Sequence, residues 1–164
     1  MKENNYNSMA KILIMVLNVL IVVGVVTFLS IVISTLTSGN SGMASGKYIV
    51  NCLLFFGGTS SLVFILYCLR KILKSVIKEG PFNMSNVRSL KNIAFSCFVI
   101  TVAYLINFFY NNQFKSFKLI EIDQTGIHTD TEFLIFFFAG CFVLILAQIY
   151  KQAVEVKEEN DFTV

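Results

Sequence analysis

Charge is scarce in this chain. Asp, Glu, Lys and Arg make up 14% of its 164 residues, against about 25% in a soluble globular domain, too few to cover a water-facing surface. There is one proline, and the abundance of Phe, Leu, Ile and Val excludes a disordered chain. There is also one histidine, His128, among Glu121, Asp123, Asp130 and Glu132. A metal centre needs several converging, supported ligands, so a solvated acidic loop is the simpler reading. Cys52, Cys68, Cys97 and Cys141 all fall in apolar runs with no C-x-x-C spacing. They read as packing thiols, the alternative being an intramembrane redox pair. Nucleophile–base pairs, phosphate-binding glycine loops and zinc-protease motifs are missing. No set of titratable groups converges near an interface as catalysis requires. The expectation is a non-enzyme without a cofactor. The net charge of +3 is segregated along the chain, so direct nucleic-acid binding is not implied.

What the chain has in quantity is apolar sequence, 55% by residue. Four uninterrupted runs, near 11–36, 48–70, 93–111 and 133–150, are each about the 20 residues needed to cross a bilayer. The first is too long for a cleavable signal core of roughly 7–15 residues and reads as a retained span. The spacing predicts an all-α, four-transmembrane-helix bundle as a single integral membrane domain, 1–164, of the bacterial cytoplasmic membrane. A basic elbow at 71–92, an outer loop at 112–132 and a tail at 151–164 complete it. Ile72, Leu73, Val76 and Ile77 recur at helical spacing opposite Lys71, Lys74 and Lys78. The second helix is therefore expected to run beyond the lipid with its lysines snorkelling. Gly80 and Pro81 stop it, and Ser85 is the expected N-cap of the third. In the outer loop, KLIEI, Thr125-Gly126 and IHT can form a small hairpin.

Orientation follows from the basic residues. With the N-terminus inside, ten of the thirteen lie on the cytoplasmic side, and only Lys47, Lys115 and Lys118 lie outside. Both termini are thus expected in the cytoplasm. There the elbow from Arg70 to Lys91 carries +5, and the tail, with its terminal carboxylate, carries −3. An acidic cluster opposes the dipole at a helix C-terminus, and Glu155 with Glu159 is a like-charge i, i+4 pair. The tail is expected to end its helix early or to dock on something basic. Its basic counterpart has three possible uses: docking the tail, facing anionic lipid, or receiving a cytoplasmic partner.

No charged residue lies within the spans, which argues against a proton-coupled transporter, voltage sensor or single-chain pump. Polar stripes are present instead: Gly24, Thr27, Ser30 and Ser34; Asn51, Gly58, Ser61 and Cys68; and Cys97, Thr101, Tyr104, Asn107 and Asn111. These lie open to two readings, interhelical packing or a polar crevice. Gly57 and Ser61 form a small-x-x-x-small pair suited to close helix approach and compatible with a homo-oligomer.

Gly80-Pro81-Phe82, the following Asn86 and Arg88, and the ending Glu158-Glu159-Asn160-Asp161-Phe162-Thr163-Val164 resemble an uncharacterised family of four-span bacterial inner-membrane proteins, catalogued as a domain of unknown function. The resemblance covers essentially the whole chain; Phe162 stands where Leu is commoner in that family. Genes of such proteins often neighbour one for a small helix-turn-helix regulator. The resemblance therefore implies a membrane protein that binds or restrains that regulator. The expected contact residues are Lys74, Lys78, Pro81, Phe82, Arg88, Glu158, Glu159, Asp161 and Phe162. The alternative is a transporter accessory or immunity-type protein acting through Thr101, Asn107 and Asn111.

Overall fold

Inside lipid every backbone group must bond within its own segment or a closed barrel, and these apolar runs do so as helices. The computed structural model describes residues 2–37, 46–111, 121–123, 126–128 and 131–161. The helices are α1 (Lys2–Thr37), α2 (Gly46–Glu79), α3 (Met84–Tyr110) and α4 (Glu132–Asp161), all four long and apolar enough to cross a membrane. At 1.5 Å per residue, α1 and α2 are each over 50 Å long, well beyond a hydrocarbon layer of about 30 Å. Between α3 and α4, strand β1 (Glu121–Asp123) pairs antiparallel with β2 (Gly126–His128), with Glu121 opposite His128 and Asp123 opposite Gly126. The hairpin expected there is present; its turn at Thr125, and the expected stretch before Glu121, lie outside the described residues.

The helices run antiparallel in series. A Cβ on Gly24 of α1 would meet Val63 of α2, and Phe28 of α1 packs edge-on against Phe56 of α2. Asn51 near the start of α2 meets Asn111 at the end of α3. Tyr104 of α3 stacks on Phe136 of α4, while Phe82, just before α3, stacks on Tyr150 of α4. Among the described residues α1 approaches only α2, whereas α3 packs against both α2 and α4. The buried cluster of Cys68, Ile93 and Cys97, flanked by Ile65, Ile72, Ala139 and Val143, lies where α2, α3 and α4 meet. Apolar burial gives little drive between helices that already sit in lipid; close packing and hydrogen bonds hold them together.

Small residues decide where backbones come close. A Cβ on Gly140 of α4 would lie 2.9 Å from Phe98 Cε1 and 3.2 Å from Cys97 Cβ, so any larger residue would force Phe98 or the helix crossing to shift. The Gly57–Ser61 pair is not such a contact within the chain: a Cβ on Gly57 meets nothing within 4 Å. The Ser61 hydroxyl instead donates to the Gly57 carbonyl at 2.8 Å, within its own helix. Hydroxyls elsewhere behave the same way. Thr27 donates to Val23 and Gly24, Ser96 to Asn92, and Thr101 to Cys97. The backbone three or four residues back thereby satisfies a group that lipid cannot.

Two local expectations give way. The N-cap of α3 is Asn83, not Ser85: Asn83 is extended (φ −146°, ψ 136°) and its side chain accepts from the Ser85 amide at 2.7 Å. Asn and Ser cap about equally well, and Asn83 comes first after the turn. Of the two outcomes expected for the tail, an early end to its helix or docking on something basic, the first does not occur, since α4 continues to Asp161. Nucleation, the costly step of helix formation, has already occurred inside the span. Lys151 then pairs with Glu155 at 3.2 Å, one turn on, and Val154 is 1% exposed.

Candidate functional site

Two places gather polar groups, one at each end of the helices. At the elbow end, Gly80 takes φ +83°, the left-handed conformation that ends α2, and Pro81 prevents the helix from resuming. The Pro81 carbonyl has two lone pairs, and both are used. Asn86 Nδ2 donates to it at 2.9 Å, and the Tyr150 hydroxyl donates to it from α4. The Phe82 ring stacks on Tyr150, with centroids 5.7 Å apart and planes at 27°. Pro81, expected as a contact residue, is exposed, and its carbonyl ties the elbow to α3 and α4. Asn86 is 1% exposed, and its Oδ1 has no donor among the described residues.

Beside this joint lies a shallow groove of about 560 Å³, formed by Phe82 with Ile149, Ala153 and Val156 of α4 and rimmed by Gln152, Lys157 and Asn160. Val156 is 57% exposed although charged residues flank it in sequence. Lys74, Lys78 and Arg88 are exposed at the same end, as are Glu158 and Glu159 on the last turns of α4. The structure therefore brings Phe82 to the tail helix through an aromatic stack. The Asp161 side chain and Phe162 lie outside the described residues. Sequence reasoning missed Tyr150, whose signal was its position as the aromatic residue closing the last apolar run, where such rings favour the interface.

At the opposite end, Asn111 Nδ2 donates to Asn51 Oδ1 at 3.0 Å and to Asn107 Oδ1 at 2.6 Å. This amide cluster joins the start of α2 to the end of α3 at the mouth of a cleft of about 770 Å³. Tyr48, Phe56 and Leu62 of α2 and Tyr104 of α3 line it, and α1 and α4 reach it through Ile31 and Phe136. Among the described residues no charged side chain lines it. The stripe on α3 divides here. Tyr104 and Asn107 face the cleft, whereas Thr101 is buried, its hydroxyl donating to Cys97 O at 3.0 Å and lying 3.5 Å from the Phe133 carbonyl of α4. Cys68 and Cys97 share the apolar cluster as free thiols. His128 is placed on β2, its side chain lying outside the described residues.

Comparison with known proteins agrees with this architecture. A protein of Bacillus subtilis (strain 168) named Uncharacterized membrane protein YoaS is 32% identical over 122 residues, which cover 72% of each chain. No solved structure matches the chain. With four apolar helices and a membrane relative, the chain is a multi-pass membrane protein in contact with the bilayer. Residues 3–164 match the family described as Protein of unknown function (DUF2975), and the chain belongs to that family.

Proposed function

We propose that the protein is a non-enzymatic membrane tether. In this reading the elbow end is cytoplasmic, and the groove between Phe82 and the tail helix holds a small cytoplasmic helix-turn-helix regulator. The observation that carries the reading is Val156. It is a large apolar side chain left bare among the exposed polar and charged residues of the last turns of α4, and with Ile149, Ala153 and Phe82 it lines a groove of the kind that receives an amphipathic helix. Lys74, Lys78 and Arg88 on one side, with Glu158, Glu159 and the sequence neighbours Asp161 and Phe162 on the other, set partner choice by charge and fit. Tethering responds to a signal only if the partner binds two states of the helices differently.

The test is capture of partners from gently solubilised native membranes. Val156→Asp, and separately a deletion from Glu158 onward that leaves the buried Val154 in place, should lose a small DNA-binding protein that the intact chain retains, with membrane insertion unchanged. Equal retention by both variants removes the groove and the tail from the reading. A second reading, a transporter accessory or immunity-type protein, is favoured by the Asn51–Asn107–Asn111 cluster at a cleft open to all four helices. It predicts the opposite pattern: loss of function on substitution of Asn107 or Asn111 and tolerance of tail truncation.

A further inference from the structure

We propose that the cleft at the loop end is a seat for one glycerophospholipid of the bilayer, a site independent of any regulator bound at the elbow. Three layers of chemistry succeed one another along α2. Lys47 is exposed and lies one turn before Asn51 on the same helix face. Next come the three asparagines and Tyr48, then Phe56 and Leu62. At 1.5 Å per residue, Lys47 to Asn51 spans about 6 Å and Asn51 to Leu62 about 16 Å. A cation, then uncharged hydrogen-bond donors, then apolar wall match a phosphate, ester carbonyls and acyl chains in the order a phospholipid presents them.

The middle layer is a donor surface. Asn111 spends its amide N–H groups on Asn51 Oδ1 and Asn107 Oδ1. This orients both partner amides with their nitrogens elsewhere, and neither Nδ2 has an acceptor among the described residues. Four N–H bonds therefore stand ready for carbonyl oxygens. Asn111 is the C-cap of α3, which puts this layer at a helix end rather than in mid-membrane. The cleft volume of about 770 Å³ falls within the roughly 300–1,000 Å³ usual for small-molecule sites.

Gly58 supplies a plug for the test. It lines the cleft, and a Cβ there meets nothing within 4 Å, so Gly58→Leu grows into the open space without a clash. Gly57 has equal room but does not line the cleft, so Gly57→Leu is the matched control. Chains purified in mild detergent would be assayed for bound phospholipid by native mass spectrometry and phosphorus content, with helicity followed by circular dichroism. The expected result is one phospholipid per chain in the wild type and in Gly57→Leu, reduced at least tenfold in Gly58→Leu at unchanged helicity. Delipidated chain titrated with phosphatidylglycerol should bind several-fold more weakly as Lys47→Gln, while diacylglycerol, which lacks the phosphate, should bind both forms alike. Phospholipid retained in full by Gly58→Leu, or a wild type that carries none or carries only a polyprenyl lipid or a peptide, overturns the proposal.

Discussion

The two ends of these helices meet the interface in opposite ways. At the elbow one carbonyl, Pro81 O, takes two donors from two helices beside a ring stack, and what is left over is a buried acceptor, Asn86 Oδ1, with no donor among the described residues. At the loop end the asparagines bond one another and still leave donors over, around a cleft bounded by all four helices. The difference runs through the packing between them. The buried residues of α3 extend from Asn86 to Thr101 and stop short of Tyr104. A closed end resists movement, and an open end can take up a ligand. The better-packed end of α3 is the one where most of the charges gather.

That contrast can be broken by substitution. The largest effect is expected from Gly140→Val, which drives a side chain into Phe98 and Cys97. Overpacking of this kind costs about 1–3 kcal/mol and should appear as a lower unfolding midpoint in detergent. Gly57→Val, with open space around it, should leave that midpoint nearly unmoved. Next comes Asn86→Ala at the closed end, which removes a buried donor to Pro81 and should cost about 1–3 kcal/mol. Asn83→Ala strips the N-cap of α3 for about 1 kcal/mol, whereas Ser85→Ala should cost less, since Ser85 contributes only its backbone amide to the cap. The smallest loss is expected at the open end, where Asn111→Ala should cost on the order of 0.6 kcal/mol, typical of hydrogen bonds between membrane helices. If Asn111→Ala proves costlier than Asn86→Ala in the same assay, the loop end is the structural joint and the contrast is reversed.

Much of the scaffold was legible in the residues. Long apolar runs without charge require helices in lipid, Gly80-Pro81 marks the break, and Ile72 does turn inward toward the cluster of α2, α3 and α4. Pairwise facts were harder to read. Gly57 and Gly140 look alike in sequence, and what separates them is Phe98, which lies more than forty residues from either in the chain. Asn83 and Ser85 are equally good caps, so the turn geometry chose between them. The repulsion expected to end the tail helix is worth only a few tenths of a kcal/mol per like-charge pair, too little to stop a helix already nucleated in the span. Asn107 and Asn111 were visible as a stripe, but their partner Asn51 sits on another helix, where spacing along one chain segment gives no sign of it.

The length of α4 has a mechanical consequence. Its 30 residues form a single rod of about 45 Å. Near one end lies Phe136, on the wall of the cleft; near the other lie Tyr150, braced on the elbow, and the exposed face of Val156. From Tyr150 the helix runs about 27 Å back to Glu132 and about 17 Å on to Asp161. Between these two places the close approach of Gly140 to Phe98 and Cys97 holds α4 against α3. One continuous helix thereby supplies a wall both to the cleft at the loop end and to the groove at the elbow.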